Sequence, residues 1–331
     1  MLYFCQKGCL MKSLYKFITY RKGFFLSPQL RISQRSALND PFECLPAAEN
    51  IADIYDRIFN KFKESGSNIP NPNCIGDLVR KSENCMIHYS DLLDYYGVVS
   101  LTQSHDNILM WSHYSNQHTG IVIELDTQMI GLDNEITHSG VLSDNNKFPM
   151  SVLYSNTRYV NDDGGYTFGP LFDTYFVKSD DWSYEKEYRI VTKTTNASEV
   201  IIDNVVREKF KLSDYESFFD FIELPCGRFK AVLNSIADMP NENMTFGDNP
   251  VKMKRNIKFN SYNIFSKYGT SLFLYNLPKV AIKKVYFGCC ISHEDKESIL
   301  NELRLSKLAV EVVQMRRHQN RFELIETVDL S

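Results

Sequence analysis

Apolar side chains recur at Ile51, Ile54, Tyr55, Ile58, Phe59 and Phe62. This is the spacing of one helical face, so the pattern predicts a helix over Ile51–Glu64. Upstream the period shortens. Leu14–Tyr20 is aromatic-rich without a helical repeat and predicts a first strand; Gly23–Ile32 turns and supplies a second, short one. Pro41 drives Asp40 out of the helical region, so Asn39-Asp40-Pro41 predicts a fixed turn or a helix start. The proline-containing stretch 65–73 reads as a loop. Val98–Thr102, Gly120–Leu125, Val152–Tyr154 and Tyr184–Thr192 read as strands. Asp106 or Asn107 is placed to cap a short helix, I-L-M-W-S-H-Y-S.

From about Thr194 to Gly269 the pattern turns polar, with helical pieces such as Tyr215–Ile222. Regularity then returns. V-A-I-K-K-V-Y-F predicts a strand, Ser292-His293-Glu294-Asp295 a capping-box-like start, and a helix to about Leu305 and a strand A-V-E-V-V-Q follow. The pattern implies an α+β fold with a mixed or antiparallel sheet.

The strand expected at Tyr184–Thr192 is unusual in its charges. With side chains alternating between faces, Glu185, Glu187 and Arg189 share one side and Tyr184, Lys186, Tyr188 and Ile190 the other. A buried structural ion pair and a reactive carboxylate oriented by a guanidinium both fit this pattern.

The 331 residues, 43% hydrophobic and 24% charged, have ample material for a core. A net charge of −4 gives no global field toward nucleic acid or anionic membranes. Any nucleic-acid contact would need a local patch, and V-K-M-K-R-N-I-K (251–258) and M-R-R-H-Q-N-R (315–321) offer two. Each is either a solvated face or a nucleic-acid surface. Eight cysteines at 5, 9, 44, 74, 85, 226, 289 and 290 form no C-x-x-C pair. That argues against a zinc ribbon or a secreted disulfide framework and for reduced, cytoplasmic thiols. Lys7 and Gly8 break the apolar N-terminus, so no signal peptide is expected. No run approaches a membrane helix, no membrane partner is expected, and Met11 would serve as an alternative start.

Phosphate-binding and dinucleotide glycine motifs are missing, as is a G-x-S-x-G elbow. His105, His113 and His118 are eight and five residues apart, not the i, i+4 spacing of helical metal ligands, so no metal site is expected. Trp111 and Tyr114 share a helix face, either as core or as an aromatic wall for a flat ring.

L-Y-K-F (14–17), N-D-P-F-E (39–43), S-L-T (100–102), M-W-S-H-Y (110–114) with His118 and Gly120, and Tyr184 with Glu187 and Arg189 occur in that order. In this the chain resembles a family of bacterial domains of unknown function. The likeness covers 11–193, a catalytic-like core, and 270–331, a β-α-β unit completing it. It leaves 194–269 as an inserted or peripheral subdomain. The order of elements is also similar to that of ADP-ribosyltransferases, especially bacterial toxins that modify DNA or RNA bases. Those carry a polar NAD-binding residue on the first strand and a glutamate late in the core, in a K/Q-x-E-aromatic context. Tyr15-Lys16 and Lys186-Glu187-Tyr188 fill those places, although the first-strand residue is Lys or Tyr rather than His or Arg and Lys186 adjoins Glu187 instead of preceding it by two.

This second resemblance implies an ADP-ribosyltransferase-like sheet core with flanking helices, and NAD as substrate. It implies a toxin or antiviral defence protein acting on nucleic acid or protein, with an antitoxin or regulatory protein as partner. Glu187 would stabilise the ribose oxocarbenium charge, with Arg189 orienting it. Lys16 or Arg31 would hold the pyrophosphate, and Asn39 and Asp40 would reach the ribose. Trp111 or Tyr114 would stack on a ring. Tyr15, Ser100 and His113 complete the expected NAD site. Lys252, Lys254 and Arg255 would meet a nucleic-acid acceptor. A non-enzymatic sensor of a nucleotide or phage component, and a nuclease using the acidic and histidine residues, are the alternatives.

Overall fold

The first two strands, β1 (Ser13–Ile18) and β2 (Gln29–Gln34), do not pair with each other. Both instead meet β3 (Tyr96–Thr102), at its opposite ends: Tyr15 opposes Thr102, while Ser33 and Gln34 oppose Val98 and Gly97. The computed structural model describes residues 12–64, 92–136, 148–158, 169–234 and 250–328. In it the two strands leave β3 as the roots of two wings of one large sheet.

On the β1 side follow β4 (Ile121–Asp126), β13 (Ile282–Phe287), β14 (Glu311–Arg317) and β15 (Leu324–Val328). On the β2 side follow β12 (Leu272–Asn276), β9 (Glu199–Ile202), β11 (Phe229–Leu233) and β10 (Phe219–Glu223). The other edge of β3 is taken along its whole length by β8 (Glu187–Lys193), which also pairs with the short β5 (Met150–Ser151). A separate ribbon joins β6 (Leu153–Tyr154) to β7 (Val177–Lys178) in parallel. Ladders in the large sheet are antiparallel except β13–β14. The fold is therefore mixed α/β, with a large mixed sheet and several helices.

Helix α1 (Ala48–Glu64) forms on the stripe read from the sequence and begins three residues earlier than expected. The seven-residue α2 (Ile108–Tyr114) starts at Asn107, whose side chain accepts from the Met110 N–H. It lays Trp111 edge-to-face on Phe17 at 5.4 Å. Phe17, Val122, Tyr286 and Val313 form a cross-strand row beneath it. On the other side of this wing, Ile299 and Leu303 of α6 (His293–Leu305) join Leu14, Ile123, Val285 and Phe287 in the main core. Ser292 caps α6 as its sequence suggests. The short α3 (Gly169–Asp173) packs with α1, α4 (Asn204–Phe210) follows β9, and α5 (Pro250–Ser266) sends Ile257, Tyr262 and Phe265 into the main core.

Two expectations change and one is untested. The loop read at 65–73 lies outside the described residues. Tyr215–Ile222 is not helical: a single 3₁₀ turn over Glu216–Phe218 leads into β10, because Phe219 and Phe221 pack on Phe210 as strand residues. The strand expected from Tyr184 starts only at Glu187. Asp180–Glu185 is 3₁₀, and Lys186 turns the chain at φ 44°. Among the described residues no helix is long and apolar enough to cross a membrane. Cys44, Cys226, Cys289 and Cys290 are free thiols.

Candidate functional site

The divergence of β1 and β2 leaves Ser100, midway along β3, without a strand neighbour on that edge. Lys16 fills the gap: its Nζ donates to the Ser100 carbonyl at 2.7 Å. Around this break lies a cavity of about 340 Å³. Its walls come from β1 (Tyr15, Lys16), β2 (Arg31, Ser33), β3 (Ser100, Thr102), the Asn39–Glu43 turn, α2 (Met110, Tyr114) and the 178–187 segment.

On the face of β3–β8 that meets this cavity the chemistry changes along the strand. Val98 pairs with Val191 in an apolar cluster with α1 and α3; Ser100 then pairs with Arg189, and Thr102 with Glu187. Arg189 has no solvent exposure at all. Its fork grips Glu187, Nε to Oε1 and Nη2 to Oε2, both at 2.9 Å. The same guanidinium donates to Glu43 and, at 2.6 Å, to the Tyr175 carbonyl. Lys178, placed by the β6–β7 ribbon, donates to Glu185 at 2.6 Å and to Glu187 Oε2 at 3.2 Å. Tyr114 donates to Glu185 at 2.5 Å, and the Glu187 N–H donates to the Tyr154 hydroxyl at 2.8 Å.

Three buried carboxylates thus face two buried cations, with the Lys16 ammonium near them. Buried charges persist only when paired and hydrogen-bonded, and their partners set their acidity. Burial pushes the Glu187 carboxyl up, but Arg189, Lys178 and a hydrogen bond from Ser100 outweigh it and hold the carboxyl at about 2. At Glu43 burial prevails over Arg189 and Lys178, and its pKa is raised. Burial lowers Lys16 to about 8, despite Glu187 and Glu185. Burial and the bond to Glu185 raise Tyr114.

Of the residues expected at the site, Tyr15, Lys16, Arg31, Asn39, Ser100, Tyr114 and Glu187 line this cavity. Arg189 stands behind Glu187. Asp40 is buried beside it, accepting from the Phe42 N–H and lining a neighbouring hollow with Glu43 and Lys178. Trp111 is wholly core, its indole N–H on the His105 carbonyl at 2.7 Å, and His113 faces solvent. Lys252 and Arg255 are exposed and Lys254 half-buried on α5.

Glu43, Glu185 and Lys178 were not among the expected site residues. Glu43 closes N-D-P-F-E, and Glu185 shares the charge pattern read at Tyr184–Thr192, so both carried a signal. Lys178 carried none, because only the pairing of β7 with β6 brings it in. The expectation that Glu185 lies on the same strand face holds in place but not in cause: it reaches the cluster from the 3₁₀ turn.

No curated protein and no solved structure matches the chain. Residues 110–190, from the first residue of M-W-S-H-Y to the last of Y-E-K-E-Y-R-I, match a family described as a protein of unknown function (DUF2971).

Proposed function

We propose that the chain is an ADP-ribosyltransferase-like enzyme that takes NAD as substrate and transfers its ADP-ribose to nucleic acid or protein, as a cytoplasmic toxin or defence protein would. One observation carries the reading. A charged carboxylate, Glu187, shares a cavity with two cations, Lys16 and Arg31, that form no ion pair among the described residues. Arg31 also keeps a buried Nε without a hydrogen-bond partner. Cations beside a charged carboxylate match a ligand that carries phosphates next to a centre of developing positive charge.

In the step so implied, the bond between nicotinamide and ribose breaks and its electron pair leaves with the nicotinamide ring. The ribose carbon gains oxocarbenium character opposite the Glu187 carboxylate, and an acceptor nucleophile adds there. Glu185 lies within the same cavity, hydrogen-bonded to Tyr114, and takes the acceptor's proton. Tyr15 and Tyr114 flank the ring. At about 340 Å³ the cavity suits the nicotinamide–ribose half of NAD, with the adenosine half reaching out past Arg31.

A second reading has its own support. Oε2 of Glu187 already accepts from both Arg189 and Lys178, which favours a module that binds a nucleotide without turning it over. Purified protein incubated with NAD separates the two. Release of nicotinamide, reduced about 10²–10³-fold in Glu187→Gln, is the expected result. Binding without release would establish the sensor reading, and metal-dependent cleavage of RNA or DNA would establish a nuclease.

A further inference from the structure

The sequence run M-R-R-H-Q-N-R is not absorbed by the cavity just described. In the structure it forms the end of β14 and the turn into β15, and its residues 317–321 wall a groove of about 510 Å³ with His118, Cys289 and the tip residue Phe322. A second hollow, of about 370 Å³, continues past Cys289 and Arg317 to Arg316 and Lys296.

Three features set this groove apart. The first is its charge. Among the residues that line the two hollows, Glu323 is the only carboxylate, and it is already held by Arg321 at 2.5 Å. Arg316 and Arg317 are exposed and form no ion pair among the described residues, in a protein whose net charge is −4. The second is Phe322, whose ring is 103% exposed at the hairpin tip, where folding alone gives it nothing to pack on. The third is the turn that forms the opposite wall. Asn116, Gln117 and His118 are all left-handed, with φ of 48°, 54° and 66°. A residue with a Cβ is strained there, Asn least of the three. Strain of this kind persists where the surroundings over-determine it. Here the His118 carbonyl accepts from the Cys290 N–H and Gly288 closes on it, while the buried His118 Nδ1 has no hydrogen-bond partner.

A basic groove with an exposed aromatic ring and unpartnered donors has one well-matched class of ligand. Phosphates track the arginines and unstacked bases lie on the ring. We propose that this groove seats a single-stranded nucleic acid, with a base stacked on Phe322 and backbone phosphates at Arg316 and Arg317. The placement gives the binding a purpose if the function proposed above holds, and on that point it rests on that reading. Ile108 of α2 lines the groove and Met110 of the same helix lines the NAD cavity. The two sites are therefore separated by about the width of one helix, roughly 10 Å. A strand in the groove can send a flanking base over α2 to the ribose. The groove, rather than the Lys252–Arg255 face of α5, is then the acceptor site.

The test is binding of a fluorescently labelled single-stranded oligonucleotide to the full chain, followed by anisotropy across a salt series. Phe322→Ala should weaken binding by about 5- to 150-fold, the effect of losing one stacked base. Arg316→Gln with Arg317→Gln should lower the salt slope by about 0.7 for each arginine. Lys252→Glu with Lys254→Glu and Arg255→Glu should leave affinity unchanged. All these side chains are wholly or partly exposed, so thermal melts serve as the folding control. Oligonucleotide affinity indifferent to Phe322 and both arginines, or duplex DNA bound equally well with no effect of Phe322→Ala, would overturn the proposal. So would loss of binding in the α5 variant alone. Nicotinamide release from NAD by Phe322→Ala is read in parallel. Its retention beside lost oligonucleotide binding supports the groove, and its absence in the parent protein would sink the enzyme reading while leaving the groove to stand or fall on binding.

Discussion

Lys16 carries the least comfortable charge in the cavity wall. Its ammonium is held by one carbonyl and two carboxylates at a distance, and desolvation brings it to about 8. Below that pH it is a cation and can take a phosphate; above it, it is a neutral amine. Affinity for NAD should therefore fall as pH rises through 8, by up to about tenfold per unit, because an anion must first recharge the amine. Lys16→Met should bind weakly at every pH and lose the dependence. Calorimetric titrations at pH 7, 8 and 9 read this directly, and a flat profile in the parent protein would remove Lys16 from the phosphate site. Glu187 is set differently. Its carboxylate is gripped by a fork, so Glu187→Gln removes charge from a group that also holds the buried Arg189 in place. Breaking a buried pair costs about 3–5 kcal/mol, but Glu43 and the Tyr175 carbonyl still hold Arg189. The stability loss should fall below that range, so activity of the variant is measured well under its melting temperature.

At the scale of elements, the site depends on a short connection that holds it from outside the main sheet. This is the β6–β7 ribbon, which places Lys178 and lets the Tyr154 hydroxyl take the Glu187 N–H where β8 begins. Tyr154→Phe leaves that N–H without its partner. It should cost about 1–3 kcal/mol and lower turnover more than it lowers NAD affinity, since Tyr154 does not line the cavity. Equal losses of both would argue that the ribbon contacts the ligand. This ribbon also marks the limit of what was legible in the residue pattern. Helix α1 and helix α6 were readable because an apolar stripe and a cap are local signals. Glu187 and Arg189 were readable because strand alternation gathers charges of both signs on one face. Lys178 was not, since a two-residue strand has no period. The 3₁₀ stretch before Glu187 was missed for a related reason: its alternation mimics a strand, and only the left-handed Lys186 breaks it. The Tyr215–Ile222 error is one of competition, where packing on Phe210 overrides a weak helical pattern.

Across the whole molecule, the cavity occupies a place between β1 and β2 where the sheet has lost its lateral hydrogen bonds. β1 and β2 each touch β3 by its end, and between them only the Lys16 ammonium bridges to Ser100. A ligand that engages Lys16 on one wing and Arg31 on the other supplies the missing cross-link. Binding must then report as global stability, since the two wings share one main core and unfold together if the domain is two-state. At a concentration one hundred times its Kd, NAD should add about 2.7 kcal/mol. For a chain of this length that is a rise of about 4 °C in melting temperature. In the proposed complex the pyrophosphate spans the two cations, so nicotinamide riboside, which lacks it, should give a much smaller shift even when saturating. Arg31→Gln should reduce the NAD shift without abolishing it, because Lys16 remains. Hydrogen exchange should slow at Tyr15, Ser33 and Ser100, the backbone on the three sides of the break, and not in β10 and β11 at the far edge of the sheet. An NAD shift matched by the riboside, or protection spread evenly over both wings, would place the ligand elsewhere than the junction of β1, β2 and β3.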